Sequence, residues 1–133
     1  MSPIQRLLVA AVAAACLPAI AGGPSFGQVV DNLDLRKNTK LHAREYCKSL
    51  HGQEVSWSGT VLDVRGGKNR AKVYVADKSR PLHSGYNIVV ETRDLAKASN
   101  LKRGQHVRFK GPLDSCTLKS AGAVVSVEEA EID

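Results

Sequence analysis

From Gln53 almost to Asp133, apolar and polar residues alternate along the chain, and this alternation is the period of a β-strand with one buried face. Turn-forming residues interrupt the alternation and divide it into segments. Five strands are therefore predicted, over residues 54–64, 70–77, 86–91, 105–110 and 123–132. A chain dominated by such segments is restricted to a mainly β fold.

The first predicted strand changes phase at a glycine. Val55 and Trp57 share one face, but beyond Gly59 the apolar residues are Leu62 and Val64. A phase change at a glycine inside a long strand indicates a bulge or a sharp coil. Because Trp57 is in phase with Val55, we expect it to be a core residue, in preference to a platform on which a ligand stacks.

A short helix is predicted before the strands, over residues 39–50, where the period changes to that of a helix. Asn38 or Thr39 is suited to cap its first turn, and Gly52 lies just past its end. The apolar stripe of this helix is predicted to consist of Leu41, Tyr46, Cys47 and Leu50.

The connections between strands carry turn signals of their own. Gly66-Gly67 is expected to turn the chain between the first two strands, and residues 92–100 read as a short helix or turn anchored by Leu95 and Leu101. Gly111-Pro112 is expected to end the fourth strand, so that residues 113–122 form a loop before the fifth.

Five strands, the first long and bent, with a helical connection between the third and fourth, describe an OB fold, which is a five-stranded Greek-key barrel. The segment Trp57-Ser58-Gly59-Thr60-Val61 resembles the W-x-G-x-V pattern of small exported bacterial OB-fold proteins. Residues 101–111 (LKRGQHVRFKG) resemble a fourth-strand segment that those proteins share with tRNA-anticodon-like OB domains. The resemblance covers about residues 53–133, and it implies the fold, because OB folds of many functions share this spacing.

Residues 1–21 are predicted to be a secretory signal peptide. Arg6 precedes an apolar run over residues 7–17, and Pro18 and the small-x-small site Ala19-Ile20-Ala21 follow it. The mature chain would begin at Gly22, without a transmembrane span, in the bacterial periplasm or outside the cell. The alternative is a lipobox that ends at Cys16, which would leave the protein lipid-anchored, but Ala13 stands where leucine is usual. The mature chain is then divided into a flexible lead-in over residues 22–37 and a single domain over residues 38–133.

Removal of the signal peptide leaves two cysteines, Cys47 and Cys116. They lack the Cys-x-x-Cys spacing of redox and zinc motifs, and disulfides persist in exported proteins. A Cys47–Cys116 bridge is therefore predicted.

Signals for catalysis, metals and cofactors are weak in this sequence. Exported OB-fold nucleases carry an Asp-Gly-Asp-type metal-binding turn, which does not occur here, and Gly-x-Ser-x-Gly is also absent. The four histidines lack a metal-binding spacing such as His-x-x-x-His. We therefore expect a non-catalytic protein without a cofactor or a metal site, and a hydrolase or nuclease is the least favoured alternative.

The chain is basic, with 19 Lys and Arg against 13 Asp and Glu and a formal net charge of +6. OB folds bind ligands across their second and third strands, flanked by the loops that follow strands one and four. Six side chains occupy the corresponding positions here, and they predict a basic groove with an aromatic platform. They are Arg65, Lys68, Arg70, Lys72, Tyr74 and Lys119.

A groove of this kind predicts an anionic ligand or an acidic protein as the partner. Single-stranded nucleic acid is less favoured, because the chain has only two Phe, one Trp and three Tyr to stack on bases. Two alternatives stay open: the charges only solubilise an exposed sheet face, or the barrel is a structural component of a bacterial envelope assembly.

Export can be tested on the protein itself. Intact-mass measurement of protein purified from the envelope fraction should show a chain that begins at Gly22. An acylated Cys16 at the amino terminus would establish membrane anchoring instead, and a retained Met1 would contradict export.

Overall fold

The computed structural model describes residues 23–120 and 122–133. The predicted signal peptide, its cleavage site before Gly22 and the alternative lipobox cysteine Cys16 lie outside the described residues. Among these residues, no helix is both long and apolar enough to cross a membrane. The elements in chain order are α1 (Phe26–Leu33), α2 (Lys40–Leu50), β1 (Glu54–Gly66), β2 (Ala71–Ala76), β3 (Ile88–Thr92), α3 (Leu95–Ser99), β4 (His106–Thr117), β5 (Val124–Val127) and β6 (Glu131–Ile132).

The sheet closes on itself into a barrel. Its strand order is β1-β2-β3-β5-β4, and an additional pairing joins β4 back to β1. All pairs are antiparallel except β3 with β5. Closure occurs where Thr60 pairs with Ala76 of β2 on one edge and with His106 of β4 on the other. This topology is that of the predicted OB fold, which is confirmed.

Strand β1 is long enough to serve two partners because it coils across the barrel. Gly59 faces inward, and a Cβ atom there would overlap the Val75 side chain and lie 2.8 Å from the Ala76 carbonyl oxygen. The predicted irregularity is present, but the register shifts between Val61 and Asp63 and not at Gly59. The shift turns Leu62 outward, where it is 37% exposed.

Strand β4 does not end at Gly111-Pro112, which corrects the prediction. Gly111 pairs with Val55 and Pro112 with Glu54, and the Pro112 carbonyl accepts a hydrogen bond from the Glu128 N–H. A Cβ atom at Gly111 would come within 2.9 Å of the Glu128 carbonyl oxygen. The glycine therefore admits a close crossing of the chain, and the strand continues beyond it.

The second half of β4 takes the place of the predicted loop over residues 113–122. Residues from Leu113 to Thr117 pair with β5. The predicted fifth strand is correspondingly divided into β5 and β6, because Glu129 between them has a left-handed backbone with φ +50°. Strand β6 returns to β4, and Ile132 pairs with Phe109.

The prediction of a flexible lead-in over residues 22–37 is wrong for its central part, which forms α1. Ser25 and Gln28 form a reciprocal capping box at its start. Phe26 and Leu33 are among the residues that this helix buries. The Phe26 ring packs edge-on against Trp57 with centroids 5.1 Å apart, and Trp57 Nε1 donates to the Pro24 carbonyl. Trp57 is therefore a core residue, as predicted.

Helix α2 agrees with the predicted bounds, and Thr39 caps it by accepting a hydrogen bond from the His42 N–H. Its buried face differs from the predicted stripe, because Ala43 is buried and Leu41 is 67% exposed. The anchor of α3 is also different: Ala98 is buried there, whereas Leu95 is 39% exposed.

The predicted disulfide is present and joins α2 to β4. Cys47 and Cys116 are 69 residues apart in sequence. Because Cys116 lies in a strand and not in a loop, the bridge connects two ordered elements. Closing a chain loop of this length stabilises a fold by about 4 kcal/mol in the chain-entropy account.

The importance of α1 can be measured with one substitution. Leu33→Ala should lower the free energy of unfolding by about 2–5 kcal/mol, because Leu33 is fully buried and its truncation leaves a cavity. Leu41→Ala makes the same chemical change on an exposed leucine, and it should change stability by about 0.5 kcal/mol or less. Urea unfolding of both variants checks this, and equal losses would contradict a packed α1.

Candidate functional site

The predicted groove corresponds to the outer face of β1, β2 and β3. Buried Val73 and Val75 alternate along β2 with Lys72 and Tyr74, which therefore point outward. Cross-strand pairing places two rows of side chains on this face. One row is Asp63, Tyr74 and Val89, and the other is Arg65, Lys72 and Glu91.

Two tyrosines and an arginine form the aromatic part of this face. The Arg65 guanidinium carbon lies 5.0 Å from the centroid of the Tyr74 ring, which is a cation–π contact. The Tyr86 ring meets Tyr74 edge-on, with centroids 4.9 Å apart. A platform is therefore present, but Arg65 covers one side of it.

Tyr86 is positioned by a tight turn in the connection from β2 to β3. His83 and Tyr86 exchange backbone hydrogen bonds of 2.7 and 3.2 Å across the two residues between them. Those two, Ser84 and Gly85, have φ values of +56° and +92°, as a two-residue hairpin turn of the I′ type requires. Leu62 lies beneath this turn, because a Cβ atom at Gly85 would be 3.2 Å from its side chain.

The arginines of the predicted site are ion-paired. Arg70 contacts Glu91 at 3.2 Å and Glu129 at 3.7 Å, and Arg65 contacts Asp63 at 3.4 Å. By contrast, none of the ion pairs within the described residues includes Lys68, Lys72 or Lys119. The uncompensated charge of the predicted site therefore belongs to its lysines.

The structure brings five of the six predicted residues together and separates the sixth. Arg65, Lys68, Arg70, Lys72 and Tyr74 lie on or beside the β1–β2 turn. Lys119 is in the connection after β4, and β5 begins there alongside the start of β3. The β1–β2 turn is adjacent to the end of β3, so Lys119 lies at the opposite end of this face.

Asp63 is in contact with two arginines of this face, and no pattern in the sequence indicates this role. Its Oδ1 accepts the Val64 N–H at 2.9 Å, and Arg65 and Arg103 approach its two oxygens at 3.4 and 3.5 Å. The Val64 N–H, followed by the two guanidinium groups, holds the pKa of the Asp63 carboxyl below its usual value, and partial burial opposes this effect. Asp63 is therefore charged at neutral pH.

Two cavities have Asp63 in their walls. The outer cavity, of about 600 Å³, lies on the outer face and is lined by Leu62, Asp63, Arg65, Tyr74, Ser84, Tyr86 and Arg103. The end cavity, of about 540 Å³, opens between β1 and α3, and Val61, Val64, Leu95, Ala98 and Leu101 supply much of its apolar lining. Asp63 and Arg103 line both cavities.

Sequence reasoning missed Leu62, Tyr86 and Arg103 as residues of this face. The apolar phase of β1 predicts that Leu62 is in the core. Tyr86 follows a turn that contains neither Asn-Gly nor Asp-Gly, the pairs that indicate a two-residue hairpin turn. Arg103 is 40 residues from Asp63 in sequence, so only the closed barrel brings them together.

Metal-binding geometry is not found in the part of the chain that the structure describes. No group of three or more His, Cys, Asp or Glu residues among residues 23–120 and 122–133 could hold a metal ion.

No family model matches this chain, and no curated protein matches it in sequence. Solved structures with a similar fold include an OBody bound to hen egg-white lysozyme, at 22% identity and a TM-score of 0.48, over 65% of this chain and 83% of that one. Asparaginyl-tRNA synthetase from Pyrococcus horikoshii is similar at 21% identity and a TM-score of 0.46, over 67% of this chain and 21% of the synthetase. A replication protein A heterotrimer bound to ssDNA gives 16% identity and a TM-score of 0.39, over 60% of this chain and 56% of that one. The OB-fold assignment itself is based on the strand order and register described above.

The role of Asp63 predicts a pH dependence. A carboxyl whose folded pKa is lowered contributes stability above its unfolded pKa, near 3.8, and loses that contribution as the pH falls through the folded pKa. The difference in urea midpoint between the wild type and Asp63→Asn should therefore be largest at about pH 6 and should shrink below about pH 4.

Asp114→Asn is a matched control, because its carboxylate takes part in no ion pair of the described residues. Its difference from the wild type should change less with pH than that of Asp63→Asn. If Asp63→Asn differs from the wild type by the same amount at every pH, the charged carboxylate does not stabilise this face.

Proposed function

We propose that this chain is an exported, non-catalytic binding module that takes an anionic ligand on the face beside the β1–β2 turn. One observation carries the proposal: cations exceed carboxylates on this face. Six cations surround three carboxylates there, namely Arg65, Lys68, Arg70, Lys72, Arg93 and Arg103 around Asp63, Glu91 and Glu129.

The lysines are the groups that an anion would meet first. Lys68 and Lys72 are exposed and outside every ion pair of the described residues, so their charge needs no rearrangement before binding. Exposed ion pairs contribute about 0–1 kcal/mol each, so an arginine can exchange its carboxylate for a ligand anion at small cost. The carboxylates meanwhile hold Arg65 and Arg70 close to the ligand position.

The aromatic part of the face supports a ligand with a flat or apolar group next to its anion. Arg65 lies over one face of Tyr74, so such a group would stack on the guanidinium plane or displace it. Tyr86 supports the edge of the same ring and keeps it in place.

Export is supported by the disulfide. The Cys47–Cys116 bridge joins two ordered elements of the barrel domain, and such bridges persist mainly in oxidising compartments. This agrees with the signal peptide that residues 1–21 predict.

A protein partner in an envelope assembly is the second candidate function. The carboxylates of Glu91 and Glu129 are interspersed with the cations of the face. Alternating charges of both signs suit a complementary protein surface better than a uniform polyanion, which the carboxylates would repel.

Removal of the two lysines separates the candidates. The variant Lys68→Gln/Lys72→Gln should elute from heparin at lower salt than the wild type. On a single-stranded oligonucleotide, the slope of log affinity against log salt should fall by about 1.4, at about 0.7 for each lost phosphate contact. Thermal stability should be nearly unchanged, because both side chains are exposed.

Lys40→Gln/Lys78→Gln removes the same charge from two exposed lysines outside this face and is the matched control, because neither lysine takes part in an ion pair of the described residues. If the two double variants have equal effects, the anion is attracted by the general basic surface and not by this face. The protein partner would then be the favoured candidate function. Tyr74→Ala adds a second readout: it should weaken oligonucleotide binding by about 1–3 kcal/mol if a base stacks there, and by little if only charge is recognised.

A further inference from the structure

Strand β1 has a free edge in its second half. Its first half pairs with β4 as far as Thr60, and Val61 still exchanges hydrogen bonds with Gln105 and Gly104. Beyond Val61, β1 pairs with β2 on one edge, and no strand within residues 23–120 and 122–133 pairs with the other edge. This free edge, from Leu62 to Gly66, is the place where another extended chain could pair.

Side chains occupy the backbone groups of the free edge. The Val64 N–H donates to Asp63 Oδ1 at 2.9 Å, and the Leu62 carbonyl accepts from Arg103 Nε at 3.1 Å. Both bonds would have to be given up before a strand could pair there. The Arg103 side chain is 79% exposed and its contact with Asp63 is 3.5 Å long, so little is lost by moving it.

The two cavities flank the free edge on opposite faces of β1. The outer cavity contains Leu62, and the end cavity contains Leu95. These are two of the four large apolar residues that are exposed among the described residues. Each cavity therefore offers apolar surface to whatever lies along the edge.

Successive side chains of a β-strand point to opposite faces. A strand added to the free edge would consequently direct one side chain into the outer cavity and the next into the end cavity. Peptides bound by strand addition gain affinity from the backbone and specificity from alternating pockets of this kind.

We propose that the free edge of β1 receives an extended segment of a partner protein, in which two successive apolar residues, one for each cavity, lie next to an acidic residue. The acidic residue follows from charge complementarity, because Arg65 and Arg103 both face Asp63 at the shared wall of the cavities. The incoming carboxylate replaces Asp63 as the ion-pair partner of Arg103. The Val64 N–H, released by Asp63, then becomes available to the backbone of the added strand.

A second copy of this chain is a poorer occupant. The register shift at Leu62 and the exposed Arg103 are features that discourage two such edges from pairing. Self-association would also bring four arginines, Arg65 and Arg103 of each copy, together with only two Asp63 carboxylates, so like charges would repel. The proposal does not depend on anion binding by Lys68 and Lys72, which are not needed for pairing at this edge.

The experiment uses the protein with its disulfide intact and a fluorescein-labelled acetyl peptide of sequence Glu-Ile-Val-Glu-Ile-Val as the probe. Fluorescence anisotropy should show binding, and the peptide with lysine in place of both glutamates should bind about tenfold more weakly. Two N-methylated versions test strand pairing, because a strand adds through one of its edges only. Methylation of the amides on one edge should abolish binding, and methylation on the other edge should not.

Variants assign the site. Leu62→Ser, Leu95→Ser and Arg103→Gln should each weaken peptide binding by about tenfold. Leu41→Ser changes a leucine on α2 that is more exposed than either, and it should leave binding unchanged. The variant Lys68→Gln/Lys72→Gln should keep peptide affinity even where it loses heparin, so this proposal and the anionic-ligand proposal can fail separately. Melting temperatures of all variants confirm that they fold.

Three results would overturn the proposal. The acidic peptide could fail to bind, both N-methylated peptides could bind equally, or the lysine peptide could bind as well as the acidic one. Sedimentation of the free protein gives the remaining outcome: a dimer that Arg103→Gln alters would make a second copy the occupant in place of a partner segment.

Discussion

The barrel depends on β1, which pairs with β4 in its first half and with β2 in its second half. The change of partner takes place at Gly59 and Thr60. Thr60 pairs with β2 on one edge and with β4 on the other, and Gly59 lets the strand pass close to Val75 and Ala76. A side chain at position 59 would separate the strands where the sheet has to close. After the exchange, β1 is released from β4, and this release creates the free edge and the cavities beside it.

The amino-terminal part of the described chain extends the core that the barrel provides. Helix α1 packs Phe26 against Trp57, and α2 is fastened to β4 by the disulfide. A domain near a hundred residues buries a modest apolar surface, so both additions matter for its stability. They also leave the outer face of β1, β2 and β3 uncovered, apart from the turn that holds Tyr86.

Most of the fold could be predicted because apolar and polar residues alternate regularly in the strands whose one face is buried in the barrel. Val73 and Val75 alternate with Lys72 and Tyr74, and the structure has the same arrangement. Prediction failed where a local signal was overruled by packing from a distance. Gly111-Pro112 resembles a strand end, but its glycine admits the crossing of Glu128 and the strand continues. The spacing of Phe26, Val29, Val30 and Leu33 after Ser25 was an available helix signal, and the flanking glycines concealed it.

The face that carries the candidate site residues was predictable from the alternation of residues, but the ion pairs on that face were not. Alternation placed Arg65, Arg70, Lys72 and Tyr74 on one face, but the carboxylate partners of Arg70 come from β3 and from the segment after β5. Arg103 joins Asp63 only through the closed barrel. Such contacts between distant parts of the chain have no periodic signature, so a single sequence does not reveal which charges stay uncompensated.

The span of the disulfide affects how the molecule withstands proteolysis. Both exposed turns beside the outer face, Gly66-Gly67 and Ser84-Gly85, lie between Cys47 and Cys116. Cleavage at either turn produces two fragments that remain covalently joined, with the cut strands still paired to their neighbours. A single cleavage that would separate an unbridged barrel into two parts therefore leaves this one in one piece. The hairpins that form the outer face stay attached after such a cleavage.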